Sequence, residues 1–178
     1  MLVEVGLVQR LSLFLGHPVY GLAIGLFAVI LSTGAGSMLS DRLPLITIYG
    51  VLAWSWFAAI LIAALPWLLS ALSPFDAYSI FARAGLVIIL VSPLGILLGF
   101  AFPTGMRLVN RVDARPTPWF WATNGAASVL GASLALAVNN AISISASFWI
   151  AAVCYLLAGL SAAPLSVGSP QLKAITMR

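Results

Sequence analysis

Charged residues are scarce in this chain. Its 178 residues include four Asp and Glu and eight Lys and Arg, so that 7% are charged, against about 25% in soluble domains. Hydrophobic residues make up 62%, and the mean hydropathy is +1.13. Such a chain has too little polar surface to coat itself in water, which excludes an ordinary soluble domain and indicates an integral membrane protein. The net charge of +4 is therefore expected to report topology and contact with anionic lipid, and we expect no nucleic-acid partner.

Residues that carry catalysis or bind metals are also scarce. There is one His and one Cys. Cys154 has no partner for an internal disulfide and is expected to be buried and inert. The sequence has no Ser/His/Asp set, P-loop or cluster with metal-ligand spacing, and Gly34-Ala35-Gly36 lacks the third glycine of a dinucleotide fingerprint. We therefore expect no catalytic residue, no metal and no cofactor, and predict that the chain is not an enzyme.

Long hydrophobic runs, in contrast, fill most of the chain. Five of them reach the roughly 20 apolar residues that a transmembrane helix needs, and the predicted spans are Val19–Ser40, Leu45–Leu72, Ala84–Phe102, Pro118–Asn139 and Ile144–Leu165. A charged loop is predicted from Arg107 to Pro118. The predicted fold class is an all-α polytopic membrane bundle, with residues 1–165 as one transmembrane domain and 166–178 as a flexible cytoplasmic tail.

The opening stretch MLVEVGLVQRLSLFL has three interpretations. A signal peptide would carry early positive charge, whereas the first charge here is Glu4. A surface amphipathic helix would show a polar stripe, but Glu4, Gln9 and Arg10 lie at uneven angles. We favour the upper part of a sixth helix, since 15 residues at 1.5 Å each give roughly 23 Å, which is short of the roughly 30 Å hydrocarbon core. Whether Met1 is the natural start of that helix stays open.

Charge placement predicts the orientation of the bundle. If the five spans alternate, one side holds Arg42, Arg107, Arg111, Arg115, Lys173 and Arg178. The other side holds only Arg10 and Arg83. The positive-inside rule then places the C-terminus in the cytoplasm.

Three polar side chains are candidate binding residues. Glu4 lies about 12 residues, or roughly 18 Å, before Gly16, near the midplane, where an ionised carboxylate is costly and usually paired or functional. Asn124 is matched in depth, and we predict an interhelical Glu4–Asn124 hydrogen bond. The alternative is that Glu4 lies near a ragged terminus and reaches lipid headgroups or water. Arg10 is expected about 9 Å below the outer surface, as an anchor in preference to a ligand contact.

Small residues at helical spacing predict close helix packing. Gly21-x3-Gly25 and Gly95-x3-Gly99 carry this signal. So does the helix face that contains Asn124, Ser128, Gly131 and Ala135.

The end of the first predicted span, GSMLSDR, is similar to the cytoplasmic loop motif of the major facilitator superfamily. The resemblance rests on Gly36, Asp41 and Arg42, and the further basic residues of that motif are missing here. In that family the Asp caps a neighbouring helix. The resemblance implies a layout like one six-helix half of a facilitator transporter.

A second resemblance extends along nearly the whole chain. The segments VEVGL, QR, FLGHP, GAGS, FPTGMR and WFWATNGAASVLG are similar, in that order, to the membrane region of bacterial multi-pass spermidine synthase-like proteins. Those proteins also carry an aminopropyltransferase-like domain with a glycine-rich nucleotide loop and a catalytic aspartate, and this chain has neither. The resemblance implies a non-catalytic membrane module in the bacterial inner (plasma) membrane.

Three functions therefore stay open from the sequence. The first is a membrane module that scaffolds a separate synthase-like enzyme. The second is a transporter component for a small solute, working as a homodimer or with a second membrane half. The third is a truncated remnant without activity of its own. The first is favoured over the second because a path for a cation would need several acids, and Glu4 is the single acid in the spans.

Overall fold

The computed structural model describes residues 1–166 apart from residues 112 and 114, and this part of the chain is helical and contains no strand. Its helices are α1 (Leu2–Leu15), α2 (Pro18–Ser40), α3 (Ile48–Ser70), α4 (Ile80–Gly99), α5 (Ala101–Asn110), α6 (Thr117–Ala141) and α7 (Ile144–Ser166). The predicted all-α fold is confirmed. Beyond Ser166, the predicted tail lies outside the described residues, and this part includes Lys173 and Arg178.

Five helical segments are long and apolar enough to cross a membrane, judged by length and composition. They are α2, α3, α4 continued by α5, α6 and α7. The chain is therefore a multi-pass membrane protein with the predicted number of spans. The ends of the spans lie within a few residues of the predicted ones, except that the third extends past Phe102 to Asn110. The start of α3 moves from the predicted Leu45 to Ile48, because the Thr47 hydroxyl accepts a hydrogen bond from the Gly50 N–H at 3.1 Å and caps the helix there.

The predicted loop from Arg107 to Pro118 is wrong in its first part. After α4 a single residue, Phe100, leaves the helical pattern, and α5 then continues to Asn110. Two side chains of α5, Thr104 and Leu108, are buried in the bundle. Helical structure extends past the apolar run because one face of α5 packs while its polar face holds Arg107.

The partial helix α1 is present and lies inside the bundle. Its 14 residues correspond to roughly 21 Å, and four residues spaced for one helix face are buried: Val3, Leu7, Leu11 and Leu15. Gly16, at φ 79°, ends the helix in the left-handed conformation that glycine adopts without strain. The His17 ring then accepts a hydrogen bond from the Val19 N–H at 3.2 Å and caps the start of α2.

Glycines mark the closest helix approaches, as predicted. Against α1, the wide π-helical turn Gly21–Leu26 of α2 brings Gly21 so close that an added Cβ would lie 2.6 Å from Ser12 Cα. Between α2 and α4, an added Cβ at Gly99 would lie 3.0 Å from the backbone nitrogen of Ser37. Gly36 is equally tight, because its Cβ would overlap the carbonyl oxygen of Ile96. This motif residue is therefore also a packing residue.

Helix α6 is the exception to this packing. Only 6% of its most apolar stretch of 18 residues is buried, against 28–33% in the other spans. Ala135 is its one buried residue. Its inner face contacts α1 near Gly131, where an added Cβ would lie 3.3 Å from Met1 Cβ. The preceding turns border an open cavity, which makes α6 the loosest wall of the bundle.

Candidate binding cavity

A cavity of about 580 Å³ opens between the start of α1 and the first half of α6. Residues from six of the helices line it, and five of these residues carry polar side-chain groups: Glu4, Thr33, Asn124, Ser128 and Tyr155. The helix face predicted for packing therefore has two roles. Its Ala135 end is packed, whereas its Asn124 end faces this cavity.

Glu4 and Asn124 share the cavity, as the matched depths suggested, but they do not touch. No hydrogen bond joins them among the described residues, and the Glu4 carboxylate instead lies 3.1 Å from the amino nitrogen of Met1. The predicted direct bond is thus wrong for this structure. The physical reason is that the first half of α6 stands away from α1 and leaves Asn124 exposed.

Tyr155 of α7 lines the cavity, and Trp54 of α3 packs against its ring. The Trp54 indole N–H donates to the Leu97 carbonyl at 2.8 Å and fixes α3 against α4. The Tyr155 ring meets Trp54 edge to face, with 5.9 Å between the centroids. Cys154 also lines the cavity and is exposed, so the expectation of a buried thiol is wrong. Sequence reasoning missed Tyr155 because nothing in the apolar run of α7 distinguishes it.

The loop motif is tied to α5 by an arginine. One terminal nitrogen of Arg107 donates to the Ser40 carbonyl at 2.7 Å, and the other lies 3.2 Å from Asp41 Oδ1. The carbonyls at a helix end lack partners within the helix, and a cation there also complements the helix dipole. The Asp41 side chain is therefore paired with an arginine, and Arg42 is exposed. Sequence reasoning missed Arg107 as the partner because it placed this residue in a loop.

A polar network joins three helices at the other end of the bundle. The Asn139 amide donates to Gln9 Oε1 at 2.6 Å, and the Ser147 hydroxyl donates to Asn139 Oδ1. Ser147 is fully buried, so these bonds satisfy groups that would be costly in an apolar interior. The network fastens the end of α6 to α1 and α7. Sequence reasoning used Asn139 only as the end of a span.

Arg10 lines a second cavity of about 350 Å³ at this same end, together with Asp76 and residues at the end of α3. Arg83 lies nearby, and one of its terminal nitrogens donates to the Phe14 carbonyl at 2.8 Å. Arg10 is thus not part of the cavity that contains Glu4 and Asn124. Of the three candidate binding residues, Glu4 and Asn124 therefore line one cavity and Arg10 lines the other.

Within the described part of the chain, no group of three or more His, Cys, Asp or Glu residues comes together in a way that could hold a metal ion. The chain matches no protein-family model, no curated protein and no solved structure.

Proposed function

We propose that the chain is a non-catalytic, multi-pass membrane module that works by assembling with a further component. That component is either a separate synthase-like enzyme or a second membrane half, which includes a second copy of this chain. The resemblance to spermidine synthase-like proteins supports the enzyme as partner, and the low burial of α6 supports assembly in general. The proposed location is the bacterial inner membrane, with the C-terminus on the cytoplasmic side, as the charge bias favours.

The single observation that carries this proposal is the low burial of α6. Helices associate in lipid through small residues that allow close approach and through polar side chains that bond across the interface. The first half of α6 offers both. An added Cβ at Gly125 would meet nothing within 4 Å, and the exposed Asn124 side chain has no hydrogen-bond partner in the described structure.

An amide left unbonded at membrane depth is costly. A helix from a partner that packs against the first half of α6 would bond Asn124 and cover Gly125. The other spans are more deeply buried than α6, so α6 is the surface on which packing of a further helix would bury most.

The test compares two glycines that both face open space in this chain. Gly125 lies on α6 and Gly34 on α2, and neither has an atom within 4 Å of an added Cβ. Leucine at either position should leave the monomer folded. Association is measured by energy transfer between labelled proteins in vesicles, once with a second copy and once with a soluble spermidine synthase-like enzyme.

We expect one of the two pairs to associate in the wild type. Gly125→Leu should weaken that association about tenfold or more, as an overpacking cost of 1–3 kcal/mol implies, and Gly34→Leu should leave it unchanged. The proposal fails if neither pair associates, or if the two variants behave alike.

A second candidate function is a component of a transporter for a small solute. The cavity of about 580 Å³ favours it, because residues from six helices meet there around one carboxylate, one amide and one phenol. Proteoliposomes that contain the chain would then take up solute, and Glu4→Gln would abolish the uptake. If Glu4→Gln changes neither folding nor uptake, a role for the Glu4 carboxylate in transport is excluded.

A further inference from the structure

We propose that the cavity between Arg10 and Asp76 binds a lipid headgroup that carries a phosphate and an ammonium group, as phosphatidylethanolamine does. The site is distinct from the Glu4 cavity, and it does not depend on the proposed function. It is carried by an arginine without a partner, an aspartate that faces the same space, and the apolar residues between them.

Arg10 differs from the other partly buried arginines because its guanidinium has no hydrogen-bond partner in the described part of the chain. Three arginines have an Nε atom that is buried and lacks a hydrogen bond: Arg10, Arg83 and Arg107. The other two donate from a terminal nitrogen to a backbone carbonyl. Arg10 makes no hydrogen bond or ion pair to any residue that the structure describes.

The depth of Arg10 makes this lack of a partner expensive. Arg10 precedes Gly16 by six positions, or roughly 9 Å along α1, so its backbone lies below the end of that helix, and the residue is half-buried. Charged side chains at such depth are stabilised by pairing with an opposite charge. Guanidinium groups match phosphate oxygens well, since their N–H groups form a planar fork.

Asp76 decides which phosphate compound fits. It lines the same cavity but is not within 4.0 Å of any Lys, Arg or His nitrogen in the described structure. A simple phosphate bound to Arg10 would meet this carboxylate and be repelled, and a simple amine would meet Arg10. A phosphate joined by a short linker to an ammonium group pairs with both side chains.

The remaining walls favour a lipid over a free headgroup. Four apolar residues line the cavity: Leu13, Phe14, Leu69 and Leu72. Leu13 is 73% exposed, so this wall continues onto the outer surface of the bundle, where acyl chains run. Ser70 and Ser73 also line the cavity. Phosphatidylethanolamine supplies a phosphate for Arg10, an ammonium group for Asp76 and acyl chains for the apolar walls.

The test uses the full chain, purified and analysed by native mass spectrometry with defined lipids added. Phosphatidylethanolamine is compared with phosphatidylglycerol, which has no ammonium group, and with phosphatidylcholine, whose nitrogen has no N–H. Soluble phosphoethanolamine tests the headgroup without its acyl chains. The variants are Arg10→Gln and Asp76→Asn. Arg42→Gln is the matched control, since Arg42 is exposed at the other end of the bundle.

We expect the wild type and Arg42→Gln to retain phosphatidylethanolamine about tenfold more strongly than either other lipid, as one charge-assisted hydrogen bond implies. Asp76→Asn should remove this preference, and Arg10→Gln should weaken both phosphatidylethanolamine and phosphatidylglycerol. Asp76 lies outside the helices, so Asp76→Asn gives a result even if Arg10→Gln fails to fold. Equal retention of the three lipids by the wild type, or retention unaffected by Asp76→Asn, would overturn the proposal. Binding of soluble phosphoethanolamine as strong as that of the lipid would overturn the assignment to a lipid.

Discussion

The packing of α2 against α4 makes a sharp prediction for Gly36→Ala. The new methyl group would overlap the Ile96 carbonyl oxygen and lie 2.8 Å from Ile96 Cα. These are backbone atoms, which cannot rotate away as a side chain can, so the two helices must separate. Overpacking of this kind costs about 1–3 kcal/mol. Alanine in place of glycine also favours the helix itself, by about 1 kcal/mol.

Gly34→Ala separates these two effects. Gly34 lies on the same helix, and an added Cβ there meets nothing within 4 Å. The helix-propensity gain is therefore common to both variants, and the difference between them isolates the steric cost. We expect Gly36→Ala to be about 1–3 kcal/mol less stable than Gly34→Ala.

The assay is reversible unfolding of the purified protein in mixed micelles, with helix content followed by circular dichroism. Wild type, Gly34→Ala and Gly36→Ala are unfolded under the same conditions. If the two variants unfold within about 0.5 kcal/mol of each other, which is the range of an ordinary surface substitution, α2 and α4 are not in backbone contact at Gly36. The glycine would then be free for the loop role that the facilitator resemblance implies.

Three further predictions use the polar contacts and the charge bias. Asn139→Ala should cost about 1–3 kcal/mol in the same unfolding assay, because it leaves the Gln9 amide inside the bundle without its partner; the exposed neighbour Asn140→Ala should cost less than about 0.5 kcal/mol. Arg107→Gln should cost about 1–2 kcal/mol through loss of the cap on α2, whereas Arg42→Gln should unfold like the wild type. A reporter that works only in the cytoplasm should be active when it is fused after the last residue. Activity of a reporter that works only outside the cytoplasm would contradict the proposed orientation.

The spans could be predicted from the sequence because hydropathy reports directly which segments can lie in lipid. The errors occur where a tertiary contact overrides composition. Arg107 marks the end of an apolar run, and the run alone predicts a loop there. Helix α5 nevertheless continues, because Arg107 donates a hydrogen bond to the Ser40 carbonyl and forms an ion pair with Asp41. A contact between residues so far apart in the chain leaves no local signal.

The candidate site was likewise predicted in part from the sequence. Counting residues from Gly16 for Glu4, and from the cytoplasmic end of its span for Asn124, placed the two at one depth, and both line one cavity. Depth alone does not give the gap between two helices, so the direct bond could not be foreseen. Tyr155 and the partner of Asn139 were missed because each depends on which faces of α7 and α1 meet.

Assembly through α6 is the central claim, and site-specific photocross-linking in native membranes tests it most directly. A photoreactive residue replaces Leu130 on α6, which is 70% exposed, or Ile30 on α2, which is 60% exposed, so the two probes start from similar exposure. We expect the probe at position 130 to form a covalent cross-link to a second copy or to a synthase-like enzyme. The probe at position 30 should react with lipid. Lipid adducts alone at both positions would contradict it.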